Sequence, residues 1–143
     1  MSTELRLLSL RQPWAWLLVR GFKDIENRPW PTRYRGEIAI HASRTLDSEY
    51  AAGRLLLPVD IPLPPPDDLP RGAIVGLCEI TACVTRSPSP WFTGPYGFVI
   101  ANARPIAPIP WRGSLGLLPL PAEIAERVRA QAPDSAFDRE AHD

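Results

Sequence analysis

The chain has 143 residues, a hydrophobic fraction of 45% and a formal net charge of zero. That length suits one domain whose core needs neither a disulfide nor a metal to hold it. The charge balance excludes a bulk polyanion binder, and no apolar run approaches the roughly 18 to 20 residues of a membrane span.

The first strand signal is LRLLSL at 5–10. The segment before it has no long apolar stretch and no small-residue cleavage site, so it does not read as a signal peptide and a cytoplasmic protein is expected. A short helix follows at 13–20, with Pro13 at its start and Gly21 as its C-terminal cap. Trp14, Leu17, Leu18 and Gly21 fall on one side of it, and Trp16 and Arg20, four apart, are spaced to stack.

GFKDIENR at 21–28 contains the only lysine among 16 basic residues. A lysine can lose its proton when desolvated, which a guanidinium effectively cannot, so Lys23 can serve as a base or as a compact charge. By spacing alone a surface position for Lys23 is favoured over a catalytic one. Glu26 and Arg28 share a face of an extended chain, whereas Lys23 and Glu26 share a site only if the chain turns between them. The spacing of Phe22 and Ile25, which breaks strand alternation, fits such a turn.

PWPTRYRG at 29–36 is loop. EIAIHAS at 37–43 alternates, with Ile38, Ile40 and Ala42 on one face and Glu37, Ala39, His41 and Ser43 on the other. TLDSEYAAGRLLL at 45–57 opens with helix N-terminal residues and predicts a second helix. Many of the 18 prolines cluster in LPVDIPLPPPDDLP (57–70) and RSPSPWFTGP (86–95), which are stiff loops.

Two strands are expected at 72–86 and 96–110, the second with an edge position or a break at Pro105. Cys78 and Cys83 lie on the first, and their odd separation predicts opposite faces and reduced thiols. A short strand within 111–121 and an amphipathic helix at 121–132, with Ile124 and Val128 on one face, complete the pattern. The predicted order is β-α-β-β-α-β-β-β-α, which implies a single domain over 1–132 and a frayed acidic tail over 133–143.

Charge is uneven along the chain. Residues 1–54 carry nine basic and six acidic groups, while 121–143 carry three basic and six acidic. The N-terminal half thus allows a local anion-binding face. No Walker loop, dinucleotide fingerprint, nucleophile elbow or zinc spacing is present, so no cofactor and no metal are expected. The polar set that can carry chemistry is Gln12, Lys23, Glu26, Arg28, Arg35, His41 and Ser43.

Taken in order, RQPWA, GxKxxExR, YRG and IHAS within 8–43, then AIVGLCEI, GPYGFVIANARPI and WRGSLGL, resemble the ASCH domain family of PUA-like proteins, over roughly residues 5–120. The resemblance implies an α+β fold, a small PUA-like mixed β-barrel of five to six strands capped by two or three helices. It implies a ligand cleft beside the first helix for RNA or a modified nucleotide or nucleoside. Gln12, Lys23, Arg28, Arg35, Ser43 and Tyr96 are the expected ligand-binding residues, and Lys23, Glu26 and His41 the candidates for catalysis. Some relatives are hydrolases, acting as ribonucleases or on the acetyl amide of acetylcytidine, and others are coactivator modules. The amidohydrolase pattern pairs a lysine with a threonine three residues later; Lys23 matches the first position, and Glu26 stands at the second. A protein partner, if any, is expected at the proline-rich loop 57–70.

Overall fold

A computed structural model describes residues 4–132; the expected acidic tail, 133–143, lies outside the described residues. The element order is the expected one. Strand β1 (Arg6–Leu10) leads to helix α1 (Trp14–Val19), β2 (Ile25–Arg28), β3 (Gly36–Ala42) and α2 (Ser48–Ala51). After a 3-10 turn at Pro66–Asp68 come β4 (Ala73–Val84), β5 (Tyr96–Pro110), β6 (Leu118–Pro119) and α3 (Ala122–Gln131).

The strands form one six-stranded sheet in the order β2-β5-β4-β3-β1-β6. Only β1 and β3 run parallel. The expected barrel is corrected here: the sheet is open, because β2 at one end has no ladder to β1 or β6 at the other. A side chain crosses the gap instead. The Arg28 guanidinium donates to the Ser9 carbonyl at 2.9 Å, joining β2 to the outer edge of β1.

Both faces of the sheet are covered. Leu8, Leu10, Ile38, Ile40 and Ala42 pack with α1 residues Ala15, Leu18 and Val19 in one cluster. Leu5, Leu7, Ala39, Ile74 and Leu77 pack with Ala125 and Val128 of α3 in a second. The α3 face expected from sequence is therefore the one that docks, with Ile124 beside it.

Local reasons decide three expectations. The helix expected over 45–57 is only four residues long, because Gly53 adopts φ +74 and the Arg54 amide closes back on the Glu49 carbonyl. Of the edge position or break expected at Pro105, the edge position holds: β5 is unbroken, but β2 covers it only from Tyr96 to Val99, so further along that side lacks a strand partner and prolines are tolerated. Cys78 and Cys83 do not face opposite ways. The β4–β5 register shifts between Ile80 and Ala82, and this bulge returns Cys83 to the cluster that buries Cys78. Both remain free thiols.

The approach of α1 to the sheet depends on Gly76. A Cβ there would stand 2.7 Å from Val19 Cβ and 2.8 Å from the Arg104 carbonyl oxygen. Gly76→Ala is expected to cost about 1–3 kcal/mol through overpacking, read as a lower urea midpoint at unchanged m-value.

Candidate functional site

The chain turns after α1 as the Phe22/Ile25 spacing predicted. Gly21 takes φ +81, and the Leu17 carbonyl accepts from the amides of both Phe22 and Lys23. This double acceptance folds Lys23 back beside the start of β2. Its ammonium donates to the Ile25 carbonyl and to Glu26 Oε1, the latter at 2.9 Å. Glu26 Oε2 accepts from Arg28 at 2.9 and 3.1 Å. Lys23 and Glu26 are 4% and 8% exposed, so the carboxylate is held in a buried cation–anion–cation row.

An ammonium has three N–H donors. Two are engaged, and Lys23 also lines a cavity of about 470 Å³ with Trp14, Asn27, Leu56, Leu57, Pro58, Pro90, Trp91 and Thr93. The Lys23 nitrogen lies 6.0 Å from the Trp14 ring centroid. Trp14 is held by its indole N–H, which donates to Asp47 at 3.0 Å; the same aspartate caps α2 through the amides of Glu49 and Tyr50. Asn27 ties the opposite wall: its Nδ2 donates to the Trp91 carbonyl, and its Oδ1 accepts from the Thr93 and Gly94 amides.

The remaining expected residues lie elsewhere. Gln12 is 1% exposed and clasps backbone, donating to the Pro70 carbonyl and accepting from the Trp16 amide. Arg35 is exposed and donates to the carbonyls of Thr32 and Tyr34. Tyr96 pairs opposite Arg28 in the ladder and is not among the residues lining this cavity.

His41 and Ser43 line a different cavity. His41 Nε2 lies 2.7 Å from the Trp111 carbonyl, which can only accept, so this nitrogen carries the proton. Nδ1 of the neutral ring then accepts from Ser9 Oγ at 3.1 Å, and Ser9 Oγ accepts from the Ser114 amide. The histidine fastens the 111–114 segment to β1 and is not beside Lys23.

Asn27, Trp14 and Trp91 were absent from the expected set. Asn27 stands inside GFKDIENR, and an asparagine between two charged site residues was the available signal. Trp91, in a proline-rich loop, gave none, because its approach to β2 is long-range.

With this geometry in view, comparison with known proteins is informative. The ASCH domain profile matches residues 8–109, about 70% of the chain. The chain belongs to the ASCH domain family. Two relatives are both named activating signal cointegrator 1. The human protein is 38% identical and the mouse protein 36% identical, each over 85 residues. That alignment covers 55% of this chain and only 14% of either relative. Among solved structures, ASCH from Zymomonas mobilis superposes with a TM-score of 0.59 at 17% identity, covering 92% of this chain and 98% of that one. A tyrosine-to-phenylalanine mutant of that protein superposes at 0.57, again at 17% identity, covering 90% and 99%. These superpositions bear on the fold, a mixed α+β fold with an open six-stranded sheet that matches ASCH structures. No helix among the described residues is long and apolar enough to cross a membrane.

Two outcomes are expected. Glu26→Gln leaves Lys23 buried without its counter-charge and is expected to cost about 3–5 kcal/mol in urea unfolding, far above the cost of losing an exposed pair. For His41, burial lowers the folded-state pKa below its ordinary 6.5, partly offset by the bond to Trp111. The folded protein thus binds fewer protons than the unfolded chain just below pH 6.5, so the contribution is whole above that value and is lost as the pH falls. Melting temperatures measured from neutral to mildly acid pH should fall more steeply for the native protein than for His41→Gln.

Proposed function

We propose that this ASCH domain binds single-stranded RNA or a modified nucleotide, seating one unpaired base in the cavity above Lys23. The observation that carries the reading is the combination at one place of two indoles, Trp14 and Trp91, with a buried ammonium that has a donor to spare. Aromatic faces accept any base by stacking, and unpaired bases are the part of RNA that proteins recognise in sequence. The Lys23 ammonium and the second Nδ2 hydrogen of Asn27 present donors, which suits a base or base modification that displays carbonyl oxygens. Glu26 acts through Lys23, holding its charge and direction.

A hydrolytic reading rests on a separate observation. Glu26 stands at the position where amidohydrolase relatives place threonine, and both its oxygens are engaged. Thr93 brings the one side-chain hydroxyl among the cavity's lining residues. Product release from short RNA or from acetylcytidine, abolished in a folded Lys23→Ala protein, would support catalysis; activity retained in Lys23→Arg would assign the lysine a purely electrostatic role.

The cointegrator relatives raise a protein partner as a further proposal, at the proline-rich segment 57–70. Leu57 and Pro58 form part of the cavity wall and Leu56 is 90% exposed, so partner and base would meet the same loop.

The deciding measurement is fluorescence anisotropy of a labelled short RNA. Trp14→Ala is expected to lose about 1–3 kcal/mol of binding, roughly five- to a hundredfold in Kd, with the fold intact by circular dichroism. Affinity should also fall steeply with salt. Unchanged affinity in Trp14→Ala would remove the base cavity from the reading.

A further inference from the structure

The cavity lined by His41 and Ser43 has a volume of about 580 Å³ and lies at the ends of β3 and β5 and the start of β4. Its other lining residues are Arg44, Gly72, Pro110, Trp111, Arg112 and Gly113. None of the eight is acidic. Arg44 and Arg112 form no ion pair among the described residues, whereas Arg6, Arg28, Arg54, Arg104 and Arg129 each do. A third guanidinium, that of Arg71, reaches the Arg44 carbonyl at 3.3 Å. Two like charges facing one concavity with no carboxylate repel each other, and an anion between them removes that repulsion.

The concavity is shaped by its glycines. Gly72 has φ +67, and a Cβ there would lie 3.1 Å from Arg44 Nε and 3.3 Å from its Cγ, so the Arg44 side chain is laid across a backbone without a side chain. At Gly113 a Cβ would lie 2.8 Å from the His41 ring and 2.9 Å from Ser9 Oγ. Close approach at both positions keeps the floor open. His41 adds no charge at neutral pH, because burial lowers its pKa below the ordinary 6.5 and the neutral ring donates from Nε2 to the Trp111 carbonyl and accepts at Nδ1 from Ser9.

We propose that this cavity binds a phosphate group through Arg44 and Arg112, and that it takes a backbone phosphate of the strand whose base sits above Lys23. The second half rests on the base-binding reading. Guanidinium forks match phosphate oxygens two at a time, which gives direction as well as charge. The two cavities are joined by a short stretch of chain. Arg44 lines one, and Asp47, three residues on, holds the Trp14 indole of the other. The Cα atoms of Arg44 and Asp47 are thus at most about 11 Å apart, so one short segment contributes to both cavity walls.

The test uses fluorescein-labelled hexauridylate, uridine and pyrophosphate on the native chain and on Arg44→Gln/Arg112→Gln. The double variant changes exposed side chains, and its melting temperature confirms folding. Hexauridylate affinity is expected to drop about tenfold at low salt, and the log–log salt slope to become shallower by about 0.7 for each phosphate no longer neutralised. Quenching of tryptophan fluorescence by uridine, which has no phosphate, should be the same in both proteins. An unchanged hexauridylate slope in the double variant overturns the proposal. If hexauridylate does not bind the native chain, the base reading fails and pyrophosphate decides the arginine site by itself. A rise in melting temperature with pyrophosphate that the double variant lacks sustains it, and no rise, or an equal rise in both, overturns it.

Discussion

The carboxylate of Glu26 holds the molecule's site and its architecture together. One oxygen fastens Lys23 in the floor of a cavity, and the other fastens Arg28, whose guanidinium reaches on to the Ser9 carbonyl. Ladder hydrogen bonds do not close this sheet, so the link from β2 to β1 consists of charged side chains. Charge-assisted bonds of this kind are about twice as strong as neutral ones, and their buried members are costly to leave unpaired. The same residue therefore sets the direction of the cavity's ammonium and holds the arginine that links β2 to β1.

Ser9 extends that logic to the far cavity. Its carbonyl receives Arg28, and its hydroxyl joins His41 and the Ser114 amide. The two concavities are consequently positioned by one strand residue, from opposite groups of the same amino acid. His41, which has catalytic chemistry available in principle, is committed to fastening a loop, and its depressed pKa follows from burial.

Much of the fold was legible because its determinants are local. The alternation of 37–43, the Gly21 cap and the inward Val128 of α3, with Ile124 beside it, each follow from neighbours a few residues apart. The turn that brings Lys23 to Glu26 was also readable, from the spacing of Phe22 and Ile25. The illegible parts share a cause. Bulges in β4 change which face Cys83 presents without any change in residue type, and sheet closure depends on the lengths of β1, β2 and β6. At the site, Lys23, Glu26 and Arg28 were readable as a set, whereas Trp91 arrives from a loop more than sixty residues away through Asn27. Gln12 and Arg35 look like ligand residues by type, and only their partners show that they serve the backbone.

The walls of the Lys23 cavity come from chain without regular structure: Leu56 to Pro58 on one side and Pro90 to Thr93 on the other. Its floor belongs to the turn after α1 and to β2, where backbone and charge are tied to the rest of the sheet. Substitution, insertion or shortening in the walls leaves the ladder untouched, since surface loops tolerate such change. Changes in the walls can thus reshape the cavity while the ion row underneath stays tied to the sheet, so the shape of the concavity and the strength of the fold are set by separate stretches of chain.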